Sequence, residues 1–174
     1  MFPKDFLDRM RGMLGDEYEE FLAALEDQRY QALRLNVLKA GEGGRTAVEA
    51  LAGTAGLTPV PWAENGYYYE APLQPGKHSY HAAGLYYIQE PSAMAPAGLL
   101  RPEPGDRVLD LCAAPGGKST QLAAMLKGKG FLLCNEIHPA RAKILSENVE
   151  RLGIRNTCVA NETPERLREL FPGY

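Results

Sequence analysis

The chemistry-bearing stretch of this chain is Val108 to Gln121, VLDLCAAPGGKSTQ, in which an apolar run passes through small residues into a Gly-Gly turn. Such a run reads as a buried strand, and the turn as the opening of a helix. Without side chains in the way, backbone N–H groups at the start of that helix can approach a ligand closely. Glu136 stands 20 residues beyond Gly116, at the predicted end of the next strand. In α/β nucleotide-binding folds an acid at this place accepts hydrogen bonds from ribose hydroxyls. A nucleoside-like ligand fits both features.

Three ligands compete for the turn. A dinucleotide site asks for G-x-G-x-x-G, and Ala114 and Lys118 break that register. A P-loop asks for G-x-x-x-x-G-K-[ST]; Gly117, Lys118 and Ser119 match its tail, but Cys112 stands where its first glycine belongs. S-adenosyl-L-methionine carries ribose hydroxyls and no phosphates, which suits a glycine turn plus a carboxylate and puts a methyltransferase in front.

Other reactive side chains point to less. Cys112, Cys134 and Cys158 are three in number, form no CxxC pair, and lie in or beside apolar β-like runs, so they read as buried free thiols. His78 and His81 lie three apart with no cysteine or third histidine near them, a poor metal set and a better surface or RNA-facing pair. No metal is expected. Trp62, Tyr67, Tyr68, Tyr69, Tyr86 and Tyr87 could stack on unpaired bases, but such clusters more often pack as core.

The elements that must carry these residues fall into two stretches. Phe6, Leu7, Met10, Met13 and Leu14, then after Gly15 Tyr18, Phe21, Leu22 and Leu25, predict two short helices within 3–26. Ala32 to Lys39 predicts a strand, with Leu33, Leu35 and Val37 on one face and Arg34 and Asn36 on the other. Thr46 and Glu49 form a capping box for a helix over Ala47 to Ala52. A short aromatic strand over Tyr67–Glu70, a loop from Leu73 to Tyr80, a strand or buried turn at Leu85–Ile88 and a helix from Pro91 to about Leu100 follow.

Pro102, Pro104 and Gly105 mark a boundary, giving regions 1–101 and 102–174. Beyond it strands over 107–112, 130–135 and 157–160 alternate with helices over 118–127, 139–152 and 164–170, the rhythm of a parallel, doubly wound sheet. The fold class is therefore α/β: an incomplete Rossmann-like class I methyltransferase domain preceded by a small α+β N-terminal region.

The string DLCAAPGGKSTQLA resembles the first motif of the NOL1/NOP2/Sun family of RNA 5-methylcytosine methyltransferases. LRLNVLK, PVPW and GKHSYHAAGLYYIQEPSAMAP resemble the bacterial branch that modifies small-subunit ribosomal RNA, so the likeness covers nearly the whole chain. The resemblance implies that Cys112, Ala113, Ala114, Pro115, Gly116, Gly117 and Lys118 wrap S-adenosyl-L-methionine and that Glu136 holds its ribose. It further implies that Arg141 lines that pocket, that Asn161 or Glu162 serves the adenine side, and that Lys118 lies near the target cytosine. The bland alternative for Lys118 is a solvated lysine in the first turn of its helix.

In the family one cysteine adds to carbon 6 of a flipped cytosine and a second assists release, from Pro-Cys and Thr-Cys motifs after the fourth and fifth strands. The chain ends at Tyr174, before either, and Cys112, Cys134 and Cys158 do not stand in those motifs. The catalytic cysteines are thus expected outside this sequence. The alternative is a complete small module that binds the cofactor or RNA without catalysis.

Composition sets the remaining bounds. At 174 residues, 45% hydrophobic and 24% charged, the chain is an ordinary globular sequence without low-complexity tracts or repeats. Asp5 and Asp8 interrupt its start and no apolar run reaches membrane-spanning length, so a cytoplasmic protein without a membrane partner is expected. A net charge of -3 means that RNA would be held by a local patch. The first strand of the second region, lacking a fourth-strand neighbour, is expected to present an apolar edge prone to self-association.

Overall fold

A computed structural model of the chain describes residues 2–26, 29–41, Thr46 and 57–173. Two sheets organise it. The first is antiparallel, in the order β2–β3–β1–β4, with β1 at Gln31–Leu35, β2 at Thr58–Pro59, β3 at Gly66–Tyr69 and β4 at Tyr86–Ile88. The second is parallel, in the order β5–β6–β7, with β5 at Arg107–Asp110, β6 at Phe131–Asn135 and β7 at Thr157–Ala160.

The N-terminal periodicity gives α1, Lys4–Leu14, and α2, Tyr18–Glu26, separated by a short 3-10 turn that starts at Gly15. The predicted strand over Ala32 to Lys39 is half right. β1 ends at Leu35, and Val37–Ala40 forms a single helical turn, α3. The cause is Asn36, whose side-chain oxygen accepts the N–H of Leu38 at 3.2 Å, an N-cap that makes the chain leave the ladder. The polar face of that strand is not solvated either: Arg34 and Asn36 are both buried.

The helix expected over Ala47 to Ala52, with its Thr46/Glu49 capping box, lies outside the described residues apart from Thr46. The segment 73–80 is more than a loop. It holds a 3-10 turn at Pro75–Lys77 and the start of a one-turn helix, α4 (Ser79–Ala82), because the His78 ring nitrogen accepts the Tyr80 N–H at 3.2 Å. A further 3-10 turn, Ser92–Met94, leads into α5, Ala95–Leu100.

The aromatics of the first sheet pack rather than stack outward. Tyr67, Tyr69 and Tyr86 are buried with Leu33 and Leu35, while Trp62 is exposed and ties its indole N–H to the Pro91 carbonyl at 2.8 Å. Beneath the second sheet Leu126, Leu132, Cys134 and Leu145 are fully excluded from water. Each of the three leucines contributes about 1.5–3 kcal/mol through burial.

The helices of the second region are α6, Gly117–Met125, α7, Pro139–Leu152, and α8, Pro164–Leu170. The last two begin at prolines and match the sequence expectation end for end, α7 stopping at Gly153 with φ 71° and α8 capped by Thr163. β5 stops two residues short of its expected end. Asp110 turns back to accept the Cys112 N–H at 3.3 Å, so Leu111 and Cys112 leave the sheet. The expectation of three buried thiols is corrected accordingly: Cys134 is buried, Cys158 is half-buried and Cys112 is exposed.

LRLNVLK sutures the two sheets together. Asn36 donates to the carbonyls of Gly84 and Leu152, both at 2.8 Å, and Lys39 donates to those of Ala83 and Arg151 at 2.9 and 2.7 Å. Arg34 reaches the Gly117 carbonyl at 3.2 Å and the Thr120 hydroxyl at 2.8 Å. Both sheets are thereby fixed around one cleft.

Candidate functional site: a cavity over the glycine turn

The turn between β5 and α6 is shaped by Gly116, whose φ of 113° is costly for any side chain and whose missing Cβ would sit 3.2 Å from Leu145. The carbonyls from Ala114 to Gly117 are engaged. Ala114 O accepts from Arg141 Nη2 at 2.9 Å, Pro115 O from Asn148 at 2.8 Å, Gly116 O from the Thr120 N–H at 2.9 Å, and Gly117 O from Arg34. The N–H groups in the first turn of α6 have no acceptor within the helix and carry its positive dipole end. The turn is therefore a fixed set of donors.

Above it lies a cavity of about 230 Å³. Cys112, Ala113, Ala114, Pro115, Gly117 and Lys118 line it, with Lys118 exposed at its wall. Gly116 sits beneath. Glu136, Arg141 and Asn161 do not line this cavity; they form a neighbouring group at the ends of β6 and β7. The Glu136 carboxylate is buried, accepts the His138 N–H at 3.0 Å and faces Arg141 Nη1 at 3.2 Å. Asn161 spends its amide on the carbonyls of Glu136 and Ile137, at 2.6 and 2.9 Å, holding the turn after β6. The Glu162 backbone is in turn gripped by Asn135.

Residues outside the expected cofactor-binding set complete the cavity. Asp110 and Glu90 bring two carboxylates to it, and Tyr87 and Gln89 form its wall on the side of the first sheet. Asp110 accepts from the Ser119 hydroxyl at 2.7 Å, which fixes it at the mouth of the turn. Glu90 accepts from the Ser92 hydroxyl and from the Ala93 N–H, and the Ser92 bond above all holds its carboxyl below the usual range. Burial pushes the Tyr87 phenol up. The acid at the end of β5 was readable as the DLC of the motif; Glu90 had no local signal, because only the fold carries it there.

Among the described residues no group of histidine, cysteine and carboxylate side chains has the arrangement of a metal site, and no helix is long and apolar enough to cross a membrane.

The family described as the N-terminal domain of the 16S rRNA methyltransferase RsmF matches residues 2–91. The chain belongs to the RsmF family. The 16S rRNA methyltransferase RsmB/F family matches residues 97–171, so the two profiles together take in both sheets. The ribosomal RNA small subunit methyltransferase F of Vibrio cholerae (serotype O1, strain M66-2) is 41% identical over 170 residues, covering 91% of this chain and 35% of that protein. Its counterpart from Escherichia coli (O17:K52:H18, strain UMN026) is 37% identical over 168 residues, covering 92% and 35%. The chain thus spans about a third of the length of the curated relatives it matches.

A crystal structure of a methyltransferase homolog protein from Pyrococcus horikoshii superposes on 97% of this chain and 55% of its own length, with a TM-score of 0.81 and 30% identity. NSun6 from the same organism shares the fold, at a TM-score of 0.79 and 17% identity over 97% of this chain and 67% of that one. The parallel sheet is accordingly a partial Rossmann-like sheet of this methyltransferase fold, as its strand and helix rhythm implied.

Proposed function

We propose that this chain holds S-adenosyl-L-methionine and positions RNA for methylation of carbon 5 of cytosine in small-subunit ribosomal RNA. Residues 1–101 form the RNA-positioning part and residues 102–174 the first part of the cofactor domain. The observation that carries the reading is the charge of the cavity: a fixed N–H turn with two carboxylates, Asp110 and Glu90, and one cation, Lys118.

That donor set fits adenosylmethionine, whose sulfonium and ammonium are cationic and whose carboxylate suits the helix N-terminus. It does not suit a triphosphate, which two carboxylates would repel, and this weighs against a P-loop. The ligand supplies an electrophilic methyl group. The protein's own part is to bind and orient it: the turn Cys112 to Lys118 seats the amino-acid end, Glu136 receives the ribose hydroxyls with Arg141 beside it, and Asn161 shapes the adenine side. Lys118, exposed at the wall, faces the incoming base. His78 and Trp62 lie on open surface available to RNA, while His81 is half-buried against the Tyr86 ring.

The RsmF membership supports ribosomal RNA as substrate and the cytoplasm as its place of action. Pairing of β5 with β6 alone among the described strands, beside the exposed Leu99, Leu100 and Leu111, supports self-association of the isolated chain. The reading is tested by competition binding of labelled adenosylhomocysteine against adenosylmethionine and Mg-ATP, with small- and large-subunit rRNA transcripts in a parallel binding series. Displacement by adenosylmethionine but not ATP, and preference for the small-subunit transcript, are expected. Displacement by ATP alone would overturn it.

A further inference from the structure

Arg34 is a cation in an unusual position. Its guanidinium belongs to β1 of the first sheet, is 4% exposed, and has as hydrogen-bond partners the Gln89 side-chain oxygen at 3.1 Å, the Thr120 hydroxyl at 2.8 Å and the Gly117 carbonyl at 3.2 Å. None of these is a carboxylate. The Tyr87 ring lies 6.0 Å from its central carbon. Burial brings the guanidinium down to about 9, which still leaves it charged at neutral pH.

A buried charge satisfied only by neutral acceptors costs more than a neutral side chain of similar size would. Simple attachment of the two sheets does not call for it, since Asn36 and Lys39 already reach across to the Leu152 and Arg151 carbonyls of the second half. The distinctive feature of Arg34 is its target. Gly117 is the first residue of α6, and its carbonyl and the Thr120 side chain face away from the cavity toward Arg34, while Gln89, held by Arg34 Nε, forms the cavity wall.

We propose that Arg34 is a positioning residue for the glycine turn: by fixing the Gly117 carbonyl outward and Gln89 in the wall, it sets the N–H groups of the turn toward the ligand from the opposite half of the molecule. It touches neither ligand nor reacting atoms. The same contact makes the state of the first sheet felt at the turn, so whatever shifts β1 shifts the donors. A rigid fork is required, because Nε and Nη2 serve three acceptors at once; a lysine offers a point charge without that geometry.

The test compares Arg34→Met, Arg34→Lys and Lys39→Met, the last removing seam contacts without touching the turn. Two quantities are read on the full chain, with circular dichroism confirming the fold. The first is amide hydrogen exchange without ligand at Thr120, whose N–H closes on Gly116, against Leu145 and Val149 in α7. The second is the Kd for adenosylhomocysteine. Exchange at Thr120 at least tenfold faster, and binding at least tenfold weaker, are expected for Arg34→Met, with Arg34→Lys recovering less than half of either loss on a logarithmic scale and Lys39→Met within twofold of wild type. Should Arg34→Met not fold, Arg34→Lys carries the test, with at least a threefold change expected in each quantity.

Changes within twofold in the Arg34 variants, or equal changes in Lys39→Met, would overturn the proposal. The affinity arm rests on the adenosylmethionine reading of the cavity and the exchange arm does not. A wild-type chain that binds no adenosyl ligand therefore sinks that reading, while Thr120 exchange still decides the role of Arg34.

Discussion

The carboxylate of Glu136, buried at the end of β6, faces the guanidinium of Arg141 at 3.2 Å, and the same guanidinium donates to the Ala114 carbonyl in the glycine turn at 2.9 Å. One side chain thus couples the ribose-binding candidate to the turn. Arg141 is itself half exposed, so its loss leaves room for water at both partners. Arg141→Ala is expected to lower stability by only about 1–2 kcal/mol and to weaken adenosylmethionine binding several-fold. Urea unfolding and calorimetry on the same preparation read the two effects separately.

Asn36 is the most economical suture between the halves. Replacing it with alanine strips donors from two buried carbonyls, Gly84 and Leu152, and removes the cap on α3. A cost of about 2–4 kcal/mol is expected. A urea midpoint unchanged from wild type would show that water replaces these bonds without penalty.

Two glycines should respond in opposite directions to alanine. Gly84 has φ 73°, and a Cβ there would lie 1.9 Å from the Arg151 carbonyl oxygen, so Gly84→Ala must separate the loop after α4 from α7. A loss of about 3 kcal/mol or more is expected. Gly12 lies within α1 with nothing near its added methyl, and Gly12→Ala should stabilise by about 0.5–1 kcal/mol. Thermal melts of both variants check the pair.

The cysteines divide by exposure. Iodoacetamide should modify Cys112 in the folded chain and reach Cys134 only on unfolding. Burial raises the Cys134 thiol, so the folded state keeps a proton that the unfolded chain releases above about pH 8.5. Stability held below that pH is therefore lost as pH rises through the folded value. Burial raises the phenols of Tyr69, Tyr86 and Tyr87 too, and these add the same trend at higher pH. Urea midpoints at pH 8 and 9.5, wild type minus Cys134→Ala, isolate the thiol's share.

The second half of the chain was legible because its signals are local. Pro139 and Gly153 bracket α7, Thr163 and Pro164 open α8, and the glycine turn announces itself by composition. The misread places are those where a side chain serves a distant partner. Asn36 ends β1 by capping, and it is buried because its amide reaches across the seam to Leu152. Arg34 reads from sequence only as the opposite face of an alternating strand, and its partner Thr120 lies 86 residues later. Cys112 looked like the end of a strand, but Asp110 curls the chain away and exposes it.

The site was legible as a motif and incomplete as a cavity. Gly116, Gly117 and Glu136 follow from spacing, and the ligand class from the absence of phosphate-type glycine spacing. Tyr87, Gln89 and Glu90 come from the other sheet, and no local pattern ties them to residue 117. Gln89 is held there by Arg34, a contact that only the assembled fold reveals.

The central claim is that the turn and Glu136 together hold adenosylmethionine. Calorimetric titration of the wild-type chain and of Glu136→Ala with adenosylmethionine tests it most directly. Saturable 1:1 binding by the wild type, at least tenfold weaker in the variant, is the predicted result. Equal affinities in the two proteins, or no binding to a folded wild-type chain, would contradict it.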